Sequence, residues 1–445
     1  LESDRMTMTD EPRGPLPEHR DVAARVEGLW PEYRDALRDL VTIPSVVGQE
    51  APAQHYVARL AEGAGLDVDV WDVDPASLAE DGRYAPVDGG EGVRPNVTAR
   101  WAGSGGGRSL AVSGHIDVVS PEPLTRWTRD PFGGDVVGDR LYGRGALDMK
   151  GGLVAGLLAV HAVRDVHGTL AGDVVFESVI EEECSGNGTL AARRRGPAVD
   201  GAIIPEVSWE DVQIANTGVV WFEVTVTGRP AYVGLAGASV NAIELGMDLV
   251  RALRALPDDF NAAPRHPLYA HVERPYTLNV GVVSGGDWPS NVPLECRVGA
   301  RLSFPPDWPV EQAQHAIRDA VQRFAAADPW LTLSPPQLRW HGFRAHGYVI
   351  EPNHPLVSLI ASSYTAITGQ PARFTPMFGT ADARYFADDG TPAVYLGPGG
   401  GGMHAPDEWV DLASVHRVAQ ILARTIVNWS GPATASAAAA SGGAP

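Results

Sequence analysis

Three stretches met in succession restrict the fold of this 445-residue chain more than any others: "SLAVSGHIDVV" (109–119), "MKGGLVAGLLAVHAVRDV" (149–166) and "GDVVFESVI" (172–180). The first and third are short, apolar and β-rich. The second has an apolar side at helical spacing. Strand, helix, strand in that order predicts a parallel or mixed sheet with helices on its faces. Ligands gather at the strand ends of such sheets, so the residues that close each strand are the ones to inspect.

The same alternation runs outward from this unit. "RDVAARVEGLWPEYRDALRDLVTI" and "APAQHYVARLAEGAG" carry helical spacing, and "LDVDVWDV" alternates with period two. After Gly218 the texture changes. "VVWFEVTVTGRPAY", "YTLNVGVVSGG", "LECRVGARLSF" and "LTLSPPQLRW" read as β-rich, around the helical "GASVNAIELGMDLVRALRAL" and "VEQAQHAIRDAVQRFAAA". That block has the size of a separate α+β unit. The expected organisation is an α/β catalytic domain in two parts, 15–218 and 342–430, interrupted by an inserted domain at 219–341. Residues 1–14 and the small-residue segment 431–445 are expected to be flexible tails.

A formal net charge of −20 repels nucleic acid and anionic membrane surfaces, which removes both as expected partners. Only Cys184 and Cys296 are present, so a disulfide framework is not expected and a reducing cytoplasm is the default location. No apolar run is expected to span a bilayer, and the first fourteen residues contain no signal-peptide core.

Metal-binding side chains stand at the predicted strand ends in "SGHIDVV", "GRGALDMKGG", "VIEEECSGNG", "AIIPEVS" and, near the C-terminus, "GGMHAPDE". His115 and Asp117 are two apart on a strand and point to one face. Asp117 could accept the imidazole N–H and leave the other ring nitrogen free for a metal; each alone also reads as an ordinary satisfied polar group. Asp148 lies in a glycine-flanked loop before the helix, where a carboxylate either bridges cations or caps the helix. Glu181, Glu182 and Glu183 follow a buried strand. They form a solvated acidic turn, or they need a cation; if the strand pattern persists, neighbours alternate and take different tasks.

Together, and in this order, the motifs resemble the zinc metallopeptidase family of aminoacylase, acetylornithine deacetylase, succinyl-diaminopimelate desuccinylase and carboxypeptidase G, from "LVTIPSVVGQE" to "HAPDEWV". The resemblance implies a zinc-peptidase-like catalytic domain with a central mixed sheet flanked by helices, plus a lid and dimerisation domain. It implies two zinc ions, with cobalt or manganese able to use the same ligands: His115, Asp148 and Glu206 for one, Asp148, Glu183 and His404 for the other. Glu182 would be the general base, Asp117 the residue that orients His115, and the Asp148–Met149 bond a cis peptide. Asn279, Arg301, Gly379 and Gly400 would bind substrate, with Arg297 competing for the role of Arg301.

One position departs from the family pattern: Tyr232 stands where the lid histidine is expected, and tyrosine cannot become a cation at neutral pH. The implied activity is hydrolysis of an amide in an N-acyl amino acid or small peptide-like substrate by a homodimer. The alternatives are a repurposed member that binds a ligand or catalyses condensation or rearrangement, and a structural metal-binding protein.

Overall fold

The strand Leu110–His115 runs through the middle of a nine-stranded mixed sheet in the computed structural model, which describes residues 17–87 and 94–432. From one edge the strands are Asp67–Asp72, Pro95–Trp101, Val174–Val179, Leu110–His115, Ala202–Ile204, Ala393–Tyr395, Val212–Asn216 and Tyr348–Val349; Phe374–Met377 also pairs with Val212–Asn216. Leu110–His115 is parallel to both of its neighbours. Every residue of Leu110–His115 and Val174–Val179 is buried, the condition of strands covered on both faces.

The helix Gly151–His167 makes the crossover that a parallel pair requires. It packs between the helices Pro17–Val41 and Leu412–Ser430, and its "GG" start is a matter of clearance. A Cβ on Gly152 would lie 1.8 Å from the Pro205 carbonyl oxygen, so only glycine lets this helix approach the segment that carries Glu206. Contrary to the sequence expectation, residues Ala146–His167 are long and apolar enough to cross a membrane by composition. Burial of 94% of their most apolar window inside the protein identifies a core helix instead.

A second, four-stranded antiparallel sheet has the order Leu278–Gly285, Glu295–Phe304, Gly218–Thr227, Gln337–Ala345. Burial alternates along Gly218–Thr227, and its inward residues meet the helices Ala242–Leu253 and Val310–Ala326. Phe222, Val224, Leu249 and Ile317 belong to this core, which is separate from that of the large sheet. The sheet extends to Ala345, past the boundary placed at 341. After an irregularity between Trp340 and Arg344 the strand resumes pairing, Arg344 with Val220 and Ala345 with Val219. The segment read as "LTLSPPQLRW" (331–340) begins inside a short helix, Pro329–Leu333, rather than strand, because Asp328 caps the backbone N–H groups of Trp330 and Leu331 and a proline follows the cap.

A third small sheet joins Asp135–Val137 and Arg140–Tyr142 to Gly400–Gly401 and Trp409–Asp411. It brings the "GRGALDMKGG" and "GGMHAPDE" segments side by side although some 260 residues separate them. Of the tail placed at 431–445, Gly431 and Pro432 are anchored against Leu170 and Ala171. The remainder, and residues 1–14, lie outside the described residues.

Candidate metal centre

His115 ends its strand fully enclosed. Its Nδ1 donates to the backbone carbonyl of Asp117 at 2.8 Å, and since a carbonyl can only accept, the proton belongs on Nδ1 and Nε2 faces inward. The acceptor expected at Asp117 is thus its backbone carbonyl; the nearer oxygen of its carboxylate is 3.7 Å from Nδ1. The Asp117 carboxylate instead accepts the backbone N–H groups of Glu182 and Glu183, each at 3.1 Å. It thereby fixes the turn that presents both glutamates.

The three glutamates are not a continuing strand. Strand pairing stops at Val179, Glu181 adopts φ +63°, and residues 182–185 form a turn, so the expected alternation does not apply. Nor do all three face one cleft. Glu181 turns into the protein, paired with the Arg94 guanidinium and accepting from Ser185 Oγ at 2.8 Å and Asn187 Nδ2 at 2.7 Å. Glu50 holds the other side of Arg94. Arg94 therefore neutralises Glu181, which leaves Glu182 and Glu183 for the site.

Asp148 is no helix cap: its backbone lies outside the helical region at φ −116°, ψ 96°, and the bond to Met149 is cis. Its two oxygens face different histidines. Oδ1 lies 3.3 Å from His115 Nε2, and Oδ2 lies 3.1 Å from His404 Nε2. Glu206 Oε1 is 3.3 Å from His115 Nε2, and Glu183 Oε2 is 3.1 Å from His404 Nε2. Glu182 Oε2 stands 3.9 Å from His115 Nε2. His115, Glu182 and Glu206, and likewise His115, Asp148 and Glu183, bring one ligand-type atom each to within 4.8 Å of one another, the arrangement of groups able to hold a metal ion.

Electrostatics point the same way. Burial disfavours a charged ring at both histidines, but the carboxylates outweigh it: Glu206 and Asp148 hold the His115 pKa well above its ordinary value, and Glu183 with Asp148 push that of His404 up to about 11. Asp148 is held well below the usual carboxylate range, because hydrogen bonds from both histidines overcome its burial. Burial, reinforced by nearby carboxylates, pushes Glu182 and Glu206 upward. Glu182 Oε1 and Glu183 Oε1 are buried without a hydrogen-bond partner. The site concentrates acceptors and negative charge beyond what its own side chains satisfy. Tetrahedral coordination at about 2.0–2.2 Å sets ligand atoms roughly 3.3–3.6 Å apart, close to the spacing found, so the residues fit divalent cations.

The other predicted residues fall into two groups. Asn279 pairs directly opposite Arg301 on the second sheet, which puts their side chains on one face. A Cβ on Gly379 would lie 3.9 Å from Arg301 Nη2, so these three converge. Gly400 belongs to the His404 segment, and its carbonyl accepts from Trp209 Nε1 at 3.2 Å. Arg297 is exposed and paired with Glu295 at 3.4 Å. Tyr232 is 71% exposed, bridged to Asn291, and is not packed with the buried carboxylates.

Sequence reasoning missed Arg94, Lys150, Arg144 and Glu408. Lys150 is buried and donates to the Leu40 and Ile43 carbonyls at 3.1 and 2.8 Å, tying the metal loop to the end of the first helix. Lys150, Arg144 and Glu408 all stand inside motifs already singled out. Nothing in the local pattern discloses their partners.

Comparison with known proteins agrees with this arrangement. The sequence pattern of "Peptidase family M20/M25/M40" matches residues 111–428. Succinyl-diaminopimelate desuccinylase of Methylobacterium radiotolerans is 31% identical over 403 residues, covering 87% of this chain and 94% of that enzyme. N-formyl-4-amino-5-aminomethyl-2-methylpyrimidine deformylase of Halalkalibacterium halodurans is 27% identical over 433 residues, covering 92% and 97%. The fold is shared with the di-peptidase Dug1p of Saccharomyces cerevisiae (TM-score 0.77, 17% identity, 93% and 99% covered) and with human carnosine dipeptidase 1 (TM-score 0.73, 17% identity, 93% and 99% covered). The chain thus belongs to peptidase family M20/M25/M40 and is a metal-dependent hydrolase.

Proposed function

We propose that the protein is a two-zinc amidohydrolase that removes the acyl group from an N-acyl amino acid or small peptide-like substrate. The observation that carries this reading is the pair of ligand sets sharing Asp148, with the unpartnered Oε1 of Glu182 beside them. His115, Glu206 and Asp148 would hold one ion and Asp148, Glu183 and His404 the other; nitrogen and oxygen donors of this kind also accept cobalt or manganese. Bound there, the ions supply Lewis acidity, lowering the pKa of a water toward about 7 and polarising the scissile carbonyl.

Glu182 takes the proton from the attacking water and delivers it to the departing amine. Asp117 acts through the backbone, holding the Glu182 and Glu183 N–H groups while its own carbonyl orients His115. Arg301 has no carboxylate partner among the described residues, and its position beside Gly379 supports a role in gripping a substrate carboxylate through two parallel hydrogen bonds. Asn279 and the Gly400 segment would complete that pocket. The desuccinylase and deformylase relatives are named for removing acyl groups from amines, which supports deacylation over a repurposed, non-hydrolytic role.

The exposed edge strand Leu278–Gly285, with Val282 and Val283 outward, and the exposed Met247 on the adjacent helix support a homodimer formed through the inserted domain. Tyr232, exposed on that domain, would then donate its hydrogen bond outside its own subunit. Both cysteines are free, in keeping with the cytoplasm.

Turnover of N-acyl amino acids and dipeptides by the zinc-loaded protein tests the reading. Glu182→Gln is expected to lower kcat by roughly 10²–10⁴ with zinc content unchanged; full turnover would remove Glu182 from the mechanism. Arg301→Ala should raise KM roughly tenfold to a hundredfold for substrates bearing the carboxylate and not for their carboxamide analogues. An equal effect on both would refute the carboxylate grip.

Metal binding should also be coupled to protons. With the His404 pKa pushed up to about 11 by Glu183 and Asp148, that ring carries a proton at neutral pH in the metal-free protein and must lose it to coordinate, and the carboxylates around His115 favour its protonated form in the same direction. Zinc titration calorimetry in buffers of differing ionisation heat should therefore show proton release at pH 7 and an affinity that falls as the pH falls. Binding without proton release would contradict these assignments.

A further inference from the structure

We infer that Glu408 is a positioning residue for the second ion, tying the loop that presents Asp148 to the loop that presents His404. The inference rests on the two-ion reading above. Glu408 is completely buried, and its Oε1 accepts the backbone N–H groups of Leu147 at 3.0 Å and Asp148 at 3.1 Å. Its other oxygen pairs with the Arg144 guanidinium, which also donates to the Ala405 carbonyl at 3.3 Å. The Glu408 carbonyl accepts from Gly143 N at 2.9 Å. One residue away, Asp407 accepts from Thr128 N at 2.8 Å and Thr128 Oγ1 at 3.0 Å. Residues 405–408 are thus bonded on several sides to residues 128–148.

The two ion sites differ in what supports their ligands. His115 ends one strand of the large sheet, and Glu206 follows another by two residues, so strand pairing locates both. Asp148 and His404 have no such support. Asp148 lies on non-helical backbone, and His404 adopts φ +56°, a conformation that non-glycine residues hold only when their surroundings impose it. The Glu408 carboxylate is the group that reaches from the His404 loop to the Asp148 backbone. Removing it frees two of the three ligands of the second site, Asp148 and His404, whereas the first site is loosened only at the shared Asp148 and keeps His115 and Glu206 in place.

The test is zinc titration of the metal-free protein by calorimetry, with elemental analysis of bound zinc and thermal unfolding of each metal-free variant. His404→Ala identifies which binding event belongs to the second site. Glu408→Ala should weaken that event by roughly 10–100-fold, the usual cost of losing a group that orients a ligand, and weaken the other event distinctly less, because only the shared Asp148 is loosened there. Glu408→Gln retains an oxygen for the two N–H groups and loses the charge facing Arg144, so it should recover part of the loss. If Glu408→Ala does not fold, selective weakening of the second event in Glu408→Gln still supports the inference. Equal weakening of both events, or no weakening, overturns it. A parent protein that binds a single zinc ion would instead refute the two-ion reading, an outcome distinct from either.

Discussion

Everything in this molecule is arranged around an electrostatic difficulty. Asp148, Glu182, Glu183 and Glu206 are packed around two imidazoles, that of His115 enclosed and that of His404 half-exposed. Two like unit charges about 4 Å apart at an effective dielectric constant near 20 repel by about 4 kcal/mol, and a typical domain is stable by only about 5–15 kcal/mol. Several such pairs strain the folded state unless positive charge sits among them. Raised histidine pKa values supply part of that charge in the metal-free protein, and divalent cations would supply it more fully.

The fold meets the difficulty by drawing the ligands from distant parts of the chain. The parallel strands deliver His115 and Glu206, the turn after Val179 delivers Glu182 and Glu183, and a loop from the far end of the sequence delivers His404. Three buried acidic groups beside the centre have compensation of their own. Arg94 answers Glu181, Arg144 answers Glu408, and backbone N–H groups answer Asp117. The sorting of carboxylates into those satisfied by the protein and those left open separates scaffold from site.

Much of this was legible in the sequence because it depends on local pattern. Strand, helix, strand and the change of texture at Gly218 follow from apolar periodicity, and the five acidic or histidine-bearing motifs fall at strand ends where a cleft forms. What escaped depends on partners 65 to 261 residues apart. That Asp117 would address the backbone of Glu182 and Glu183, and that Glu181 would turn away toward Arg94, required knowing which segments meet. The alternation argument failed at the glutamates because it presumed a strand where the chain turns. The last strand of the second sheet runs four residues past 341 because it loses its period for a few residues before pairing resumes.

Crystals grown with zinc and measured on both sides of its absorption edge would examine the central claim directly. Two anomalous peaks should flank Asp148, each about 2.0–2.2 Å from one of its oxygens, the first also bound by His115 and Glu206 and the second by Glu183 and His404. A lone peak that leaves one histidine unligated, or density remote from Asp148, would contradict it.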